Sequence, residues 1–168
     1  VKEIMENSID AGANKITVEI RNGGISYIRV TDNGKGIMQD DMEIAFERHA
    51  TSKLRNADEL GKITSMGFRG EALASISAIS ELTMISKTDD EPVANKLFAR
   101  AGQIESWEEV AAQKGTTIIV EKLFFNTPVR YKFLKNDATE FRYIKEFMQK
   151  VALAHPEIAV KLINDGKQ

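Results

Sequence analysis

The chain has 168 residues, 42% hydrophobic and 29% charged, with a formal net charge of −2, a balance typical of a folded globular domain rather than a disordered segment. It contains no cysteine and only two histidines, which excludes disulfide frameworks, cysteine nucleophiles and histidine-rich zinc sites. No apolar run approaches the roughly 18–20 residues of a membrane-spanning helix and no signal peptide opens the chain, so the cytoplasm is the expected compartment.

Both ends of the sequence predict incomplete elements. Val1 begins inside a helical pattern without a capping residue before it. That first helix has a stripe of apolar or small residues and ends near Gly12; the stripe is Ile4, Met5, Ser8, Ile9 and Ala11. Near the other end, a strand over 158–163 enters the turn Asn164-Asp165-Gly166. We therefore expect one domain over 1–168, truncated at its N-terminus and lacking the domain that would follow it.

Between these ends, short alternating strands and amphipathic helices follow one another. The spacing of apolar residues predicts helices over 40–49, 70–80, 128–135 and 139–153. Strands are predicted over 16–20, 25–31, 82–87, 96–100, 104–110 and 116–122, with a hairpin turn at Asn22-Gly23-Gly24. This order favours an α+β fold, an α/β sandwich in which helices cover one face of a mixed, mostly antiparallel sheet.

Charge is unevenly distributed along the chain. Residues 1–112 hold 13 basic and 19 acidic residues, for a net charge of −6, whereas residues 113–168 hold 10 and 6, for a net charge of +4. Two ordinary solvated faces explain this pattern, and a modest anion-facing surface is the alternative. The residues of that surface would be Arg130, Lys132, Lys135, Arg142, Lys145 and Lys150.

The first of three candidate chemical sites lies on the opening helix. Glu3 and Asn7 are four residues apart and therefore share one helix face. A carboxylate can activate water as a general base, and an amide oxygen one turn away can bind a hard cation such as Mg²⁺. A solvated helix face is the alternative for such a pair.

The second candidate site is the stretch Asp32-Asn33-Gly34-Lys35-Gly36-Ile37, which follows a predicted strand. Its glycines let the backbone adopt positive φ and approach a flat ligand closely. A shielded Asp32 can accept a hydrogen bond from an exocyclic amine such as that of adenine. An ordinary turn is the alternative, and an EF-hand is excluded because the full set of Asp, Asp/Asn, Asp/Asn, Gly and Glu that a calcium loop needs does not occur here at its fixed spacing.

The third candidate site is Gly67-Phe68-Arg69-Gly70-Glu71, which opens a predicted helix. Free backbone N–H groups and the helix dipole favour a phosphate at such a position. Neither GxxxxGK[ST] nor GxGxxG occurs in the sequence, so a nucleotide bound here would be held by an architecture other than a P-loop or a Rossmann fold.

In their order along the chain, these segments resemble one ATPase family. The stretch EIMENSIDAGA from Glu3, the Asp32 loop, the string RHATSK over 48–53 and the string GFRGEAL over 67–73 look like the N-terminal ATPase region of MutL DNA mismatch-repair proteins, within the GHKL superfamily. Gly115-Thr116 and the stretch LFFNTPVR over 123–130 resemble the last motif of that family. The resemblance covers nearly the whole chain and implies the GHKL, or Bergerat, ATPase fold.

The resemblance also implies a role for each matched residue. Glu3 matches the catalytic base that activates water for attack on the γ-phosphate of ATP, and Asn7 matches the ligand of Mg²⁺. Asp32 matches the residue that reads adenine, assisted by Gly36 and Thr116, with Gly34 in the same loop. Residues 50–70 match the ATP lid, in which the expected nucleotide-binding residues are Thr51, Ser52, Lys53, Gly67, Phe68, Arg69 and Gly70.

Partners and activity follow from the same resemblance. It implies a slow Mg²⁺-dependent ATPase in which ATP closes the lid, dimerises two N-terminal regions and changes contacts with DNA and a MutS-type mismatch-recognition protein. It also implies a homodimeric intact protein without a membrane partner, associated with the nucleoid in a bacterium. We expect an isolated fragment of this length to be monomeric and slow, because the family's N-terminal arm and second domain are not among its residues.

Three other functions share parts of the pattern. A histidine-kinase phosphotransferase usually lacks a base at the position of Glu3 and lacks the string RHATSK. A gyrase-type strand-passage motor shares Glu3, Asn7 and Asp32 but not the string GFRGEAL. A non-catalytic adaptor with a relic pocket would not need to keep Glu3 and Asn7. The MutL-type function is therefore the preferred hypothesis.

Overall fold

Residues 1–46 and 72–167, the parts that the computed structural model describes, form one seven-stranded sheet with helices packed on it. The predicted strand and helix positions are confirmed to within a few residues wherever they fall in these ranges. In chain order the elements are α1 (Lys2–Asp10), β1 (Lys15–Arg21), a 3₁₀ turn (Asn22–Gly24), β2 (Tyr27–Asp32), α2 (Gln39–Ile44), α3 (Ala72–Ser77), β3 (Glu81–Lys87), β4 (Ala94–Arg100), β5 (Gln103–Val110), β6 (Gly115–Glu121), α4 (Pro128–Lys132), α5 (Asp137–Ala154) and β7 (Ala159–Asn164).

The sheet is mixed and mostly antiparallel, as predicted. Its strand order is β5-β4-β3-β6-β2-β1-β7. Five of the six strand pairs are antiparallel, and the sixth joins β1 and β7 in parallel, with Val18 opposite Leu162. Because β2 lies between β1 and β6, Asp32 at the end of β2 lies beside the first residues of β6 and close to the end of α1.

One face of the sheet carries the hydrophobic core. Burial alternates along the central strands, so that every second residue of β1, β2, β3 and β6 points to the same side. Helices α1, α2 and α5 pack buried methionines against that side. The fully or nearly fully buried side chains include Met5, Ile16, Val18, Val30, Met42, Leu82, Met84, Ile118 and Met148. The described helices do not include any that is long and apolar enough to cross a membrane.

The connection between β1 and β2 is wider than the predicted hairpin. Residues Asn22–Gly24 form a 3₁₀ turn, and β2 begins at Tyr27 instead of at residue 25. Polar contacts of Asn22 explain the difference. Its side-chain amide donates a hydrogen bond to the Asp137 carboxylate at 3.3 Å, and its backbone N–H donates to the Asp165 carboxylate at 3.1 Å. The turn is therefore shaped by the start of α5 and by the end of β7, neither of which local periodicity reveals.

Candidate functional site

Helix α1 presents Glu3 and Asn7 on its outer surface while its opposite face is buried. Ile4, Met5 and Ser8 are buried, as the predicted stripe requires, whereas Glu3 is exposed and Asn7 is half-buried. Within the described parts of the chain, no other side chain forms a hydrogen bond with Glu3 or Asn7. Both side chains are therefore available to solvent or to a ligand on the same face of α1.

Asp32 is the buried carboxylate at the end of β2, only 9% exposed. Its Oδ2 accepts a hydrogen bond from the Ser8 hydroxyl at 2.7 Å. Its Oδ1 accepts from the backbone N–H of Gly34 at 2.9 Å and from that of Thr116 at 3.3 Å. These three donors hold the carboxylate in one orientation, and Oδ2, which accepts only one of them, keeps an unfilled lone pair, so Asp32 is a fixed acceptor.

The loop after Asp32 is anchored to the end of α1. The Asn33 side-chain oxygen accepts hydrogen bonds from the backbone N–H groups of Asn14 at 3.1 Å and Lys15 at 2.9 Å. The backbone N–H of Lys35 donates to the Ala11 carbonyl at 3.0 Å. The loop that follows Asp32 is therefore tied by hydrogen bonds to the end of α1, the helix that carries Asn7.

The far side of the loop is packed on the ends of β3 and β6. Gly36 has φ of +78°, and an added Cβ would lie 2.1 Å from the Lys87 carbonyl oxygen, so only glycine fits there. The backbone N–H of Ile37 donates to the Ser86 hydroxyl at 2.8 Å, and that hydroxyl lies 2.9 Å from the Thr116 hydroxyl. Asp32, the loop and Thr116 are thereby joined in one polar network at one end of the sheet.

The structure thus brings together part of the predicted site. Asp32, Gly34 and Thr116 are in direct contact, Gly36 lies in the same loop, and Glu3 and Asn7 lie on the helix to which the loop is attached. The other predicted nucleotide-binding residues lie outside the described ranges; they are Thr51, Ser52, Lys53, Gly67, Phe68, Arg69 and Gly70.

Sequence reasoning missed two hydroxyl groups that organise the site. The sequence pattern places Ser8 only in the buried stripe of α1 and gives Ser86 no role, whereas the structure shows that Ser8 donates to Asp32 and Ser86 accepts from Ile37. A signal was present in both cases, because each serine occupies a buried position in an otherwise apolar pattern and a buried hydroxyl requires a partner. What the pattern does not state is which group that partner is.

The basic residues late in the chain form a loose surface rather than a dense cluster. All six lie exposed on or beside α4 and α5, and Arg142 is 3.9 Å from Glu146. Acidic residues of the first turn of α5, Asp137 and Glu140, lie on the same helix. A run of solvated charges describes this surface better than a dedicated anion site.

The sequence matches the family model described as histidine kinase-, DNA gyrase B- and HSP90-like ATPase over residues 1–126. Among similar proteins, a DNA mismatch repair protein MutL of Agathobacter rectalis is 51% identical over 167 residues, which is 99% of this chain and 26% of that protein. One of Neisseria meningitidis serogroup C is 52% identical over 168 residues, again 26% of that protein. The chain therefore spans about a quarter of the length of these relatives.

Solved structures show the same fold. The Aquifex aeolicus MutL ATPase domain complexed with ADP matches with a TM-score of 0.79 and 36% identity, over 99% of this chain and 58% of that chain. The N-terminal domain of a DNA repair protein matches with a TM-score of 0.80 and 34% identity, over 99% of this chain and 48% of that chain. The predicted GHKL architecture is confirmed by these likenesses.

Proposed function

Because this chain belongs to the family of histidine kinase-, DNA gyrase B- and HSP90-like ATPases and is homologous to MutL proteins over its full length, we propose that it binds and hydrolyses ATP as the nucleotide-binding region of a MutL-type mismatch-repair protein. The observation that carries the proposal is Asp32. This carboxylate is buried, oriented by three donors and placed beside a glycine loop. Such an acceptor suits the exocyclic amine of adenine, which is a donor, and opposes the carbonyl that guanine has there.

Recognition of the base is assigned to the network around Asp32. Gly34 and Thr116 fix the carboxylate through their backbone N–H groups, and Gly36 allows the loop to lie close to β3. The ligand itself would then contact an acceptor that needs no reorganisation on binding, which lowers the entropic cost of association. The structure of the ADP complex of the Aquifex aeolicus MutL ATPase domain supports this assignment by its likeness of fold.

Hydrolysis is assigned to the exposed face of α1. Glu3 would accept a proton from the attacking water, because it is an exposed carboxylate without a partner among the described residues. Asn7 would bind Mg²⁺ through its amide oxygen, a hard neutral ligand. Three or more Asp, Glu or His side chains do not cluster anywhere in the described ranges, which suits an ion held mainly by phosphate oxygens. Bound Mg²⁺ supplies neutralisation of the phosphate charge.

The phosphate contacts are proposed for residues 50–70, outside the described ranges. The proposed set is Thr51, Ser52, Lys53, Gly67, Phe68, Arg69 and Gly70. For the whole protein, we propose that ATP drives lid closure and dimerisation and so couples a MutS-type mismatch-recognition protein and DNA to later repair steps. Residues 1–168 would act in this cycle as one nucleotide-binding domain.

Titration calorimetry with Mg²⁺ and ADP tests the proposal directly. Wild-type chain should bind ADP, and Asp32→Asn should lose at least about tenfold in affinity, which corresponds to about 1.4 kcal/mol. The Asp32→Asn variant should still fold, since the new amide group can donate to the Ser8 hydroxyl while the remaining oxygen keeps the two backbone donors. Asp10→Asn, an exposed charge on α1, is the matched control and should bind normally. Failure of the wild-type chain to bind ADP would refute the proposal.

A further inference from the structure

Glu91, in the turn between β3 and β4, contacts the end of the glycine loop that follows Asp32. Glu91 Oε2 accepts hydrogen bonds from the backbone N–H and the hydroxyl of Thr88, at 3.1 and 2.9 Å. Its Oε1 accepts from the backbone N–H of Gln39 at 3.1 Å and from the Asn95 side chain at 3.2 Å. One carboxylate therefore joins the turn, the start of β4 and the residue that begins α2.

Gln39 is the point at which the glycine loop becomes a helix. The residue before it, Met38, occupies the N-cap position but has no side-chain oxygen to accept a backbone N–H. Glu91 supplies the missing acceptor from a distant part of the chain, and its negative charge is favourable near the first N–H groups of a helix. The exit of the loop is thus fixed by a group that sequence periodicity does not connect to it.

Two neighbouring bonds fasten the same side of the loop. Ile37 donates its backbone N–H to Ser86 on β3, and two residues later Gln39 donates to Glu91 on the turn that follows β3. Between Asp32 and these two bonds lies Gly36, whose backbone is pressed on the β3 carbonyl. Loss of either bond would free the loop at its exit while leaving the Asp32 contacts unchanged.

The hydrogen bonds that Glu91 accepts keep its carboxyl group in the charged form that acts as an acceptor. Burial raises the pKa of Glu91, but the hydrogen bonds from Thr88, Gln39 and Asn95 together hold it below its ordinary value. The charged form of Glu91 is therefore stabilised by the groups that donate hydrogen bonds to it.

We propose that Glu91 is a positioning residue for nucleotide binding, which holds the exit of the glycine loop on the β3–β4 turn without touching the nucleotide. This inference rests on the proposed function of the Asp32 site. A purely structural role in the turn is the alternative, because the bonds to Thr88 and Asn95 alone would stabilise the turn. The bond to Gln39 distinguishes the two roles, since it is the one that leaves the turn.

Gln39→Pro removes that bond alone. Proline lacks the backbone N–H and suits the first position of a helix, and Met38 already has φ of −65° and ψ of 152°, which the residue before proline prefers. The Thr88 and Asn95 bonds of Glu91 are kept in this variant. Glu91→Ala removes all of them, and Asp90→Asn is the matched control, an exposed acid of the same turn.

The experiment measures Mg²⁺-ADP affinity by calorimetry and hydrogen exchange of the Ile37 amide in the full chain. We expect Glu91→Ala to lower the affinity for ADP about tenfold and Gln39→Pro to lower it about three- to tenfold. The double variant should bind ADP no more weakly than the single variant with the lower affinity. The Ile37 amide should exchange faster in both variants, and Asp90→Asn should match wild type. Should Glu91→Ala fail to fold, Gln39→Pro carries the test.

The outcomes separate this inference from the proposed function. A wild-type chain that does not bind ADP contradicts the proposed function itself. A wild-type chain that binds ADP, with Gln39→Pro binding equally well, overturns the positioning role of Glu91 and leaves the Asp32 site intact. An additive double variant would also overturn it, because two independent effects would then replace one shared bond.

Discussion

Replacement of Ser8 by alanine should damage both stability and nucleotide binding. Ser8 is 2% exposed, and its hydroxyl donates to Asp32 at 2.7 Å with the Ile4 carbonyl as a second acceptor at 3.1 Å. A hydrogen bond to a charged group contributes about 1.5–3 kcal/mol. The higher helix propensity of alanine raises the free energy of unfolding by about 0.5 kcal/mol and offsets part of that loss. The free energy of unfolding should therefore fall by roughly 1–2.5 kcal/mol.

The matched control is Ser80→Ala. Ser80 is fully buried and its hydroxyl also donates to the carbonyl four residues earlier, that of Ile76 at 2.7 Å, but to no carboxylate. Only a neutral hydrogen bond is lost, so the cost should be about 0.5–1.5 kcal/mol. Urea denaturation should show a lower midpoint for Ser8→Ala than for Ser80→Ala with an unchanged slope.

Calorimetry with ADP provides the second measurement. In Ser8→Ala, Asp32 keeps its two backbone donors but loses the one that orients Oδ2. ADP affinity should fall about three- to tenfold, while Ser80→Ala should bind as wild type does. Equal stability of the two variants together with full ADP affinity in Ser8→Ala would refute the view that Ser8 orients the base acceptor.

Four further outcomes follow from the site. ADP should bind at least about tenfold more tightly than GDP, since guanine would set a carbonyl against the buried carboxylate; equal affinities by calorimetry would contradict this. In a protein that turns over ATP, Glu3→Ala should reduce turnover by a factor of about 10² or more while ADP still binds. Asn7→Ala should instead weaken Mg²⁺-dependent nucleotide binding. An equal loss of nucleotide binding in both variants would show that the base and the metal ligand are not separate. Gly36→Ala should lower the free energy of unfolding by more than about 1 kcal/mol, beyond the effect of Gly166→Ala, where φ is +78° but the space is open. The stabilisation by Glu91 should be complete above the ordinary glutamate pKa of about 4.3 and disappear as the pH falls through the lowered pKa, so wild type and Glu91→Gln should converge in stability in acid.

Local pattern predicted most of the elements because strands such as β3 alternate strictly between buried and half-buried residues. The turn at 164–166 is also confirmed, since Asn164 and Lys167 form an antiparallel bridge. The parallel partner of β1 was not predicted, because Lys15 and its partner Ala159 are 144 positions apart and local pattern gives no sign of a pairing over that distance. Helix α5 contacts both β7 and the 3₁₀ turn that follows β1, so this pairing belongs to the tertiary contacts of the fold.

In the candidate site, too, local features could be predicted from the sequence and long-range contacts could not. The types and spacing of residues indicate that Asp32, if shielded from water, could act as an acceptor beside a glycine loop, and the structure shows that Asp32 is buried and contacts Gly34 and Thr116. Sequence reasoning did not find Ser8 and Glu91 as partners, since their bonds to Asp32 and Gln39 span 24 and 52 residues. Hydrogen bonds between groups distant in sequence depend on tertiary geometry, which periodicity does not encode.

The parallel pairing of β1 with β7 has a consequence for synthesis on the ribosome. β1 leaves the ribosome before β7, its second neighbour, which is made about 144 residues later; at 5–20 residues per second this is a delay of roughly 7–30 s. Throughout that interval the nascent chain can pair β1 only with β2, and the other edge of β1 offers unpaired N–H and C=O groups to any strand nearby. Cotranslational folding therefore leaves a vulnerable edge one strand away from Asp32, and chaperone binding to nascent chains should be strongest before residue 159 emerges.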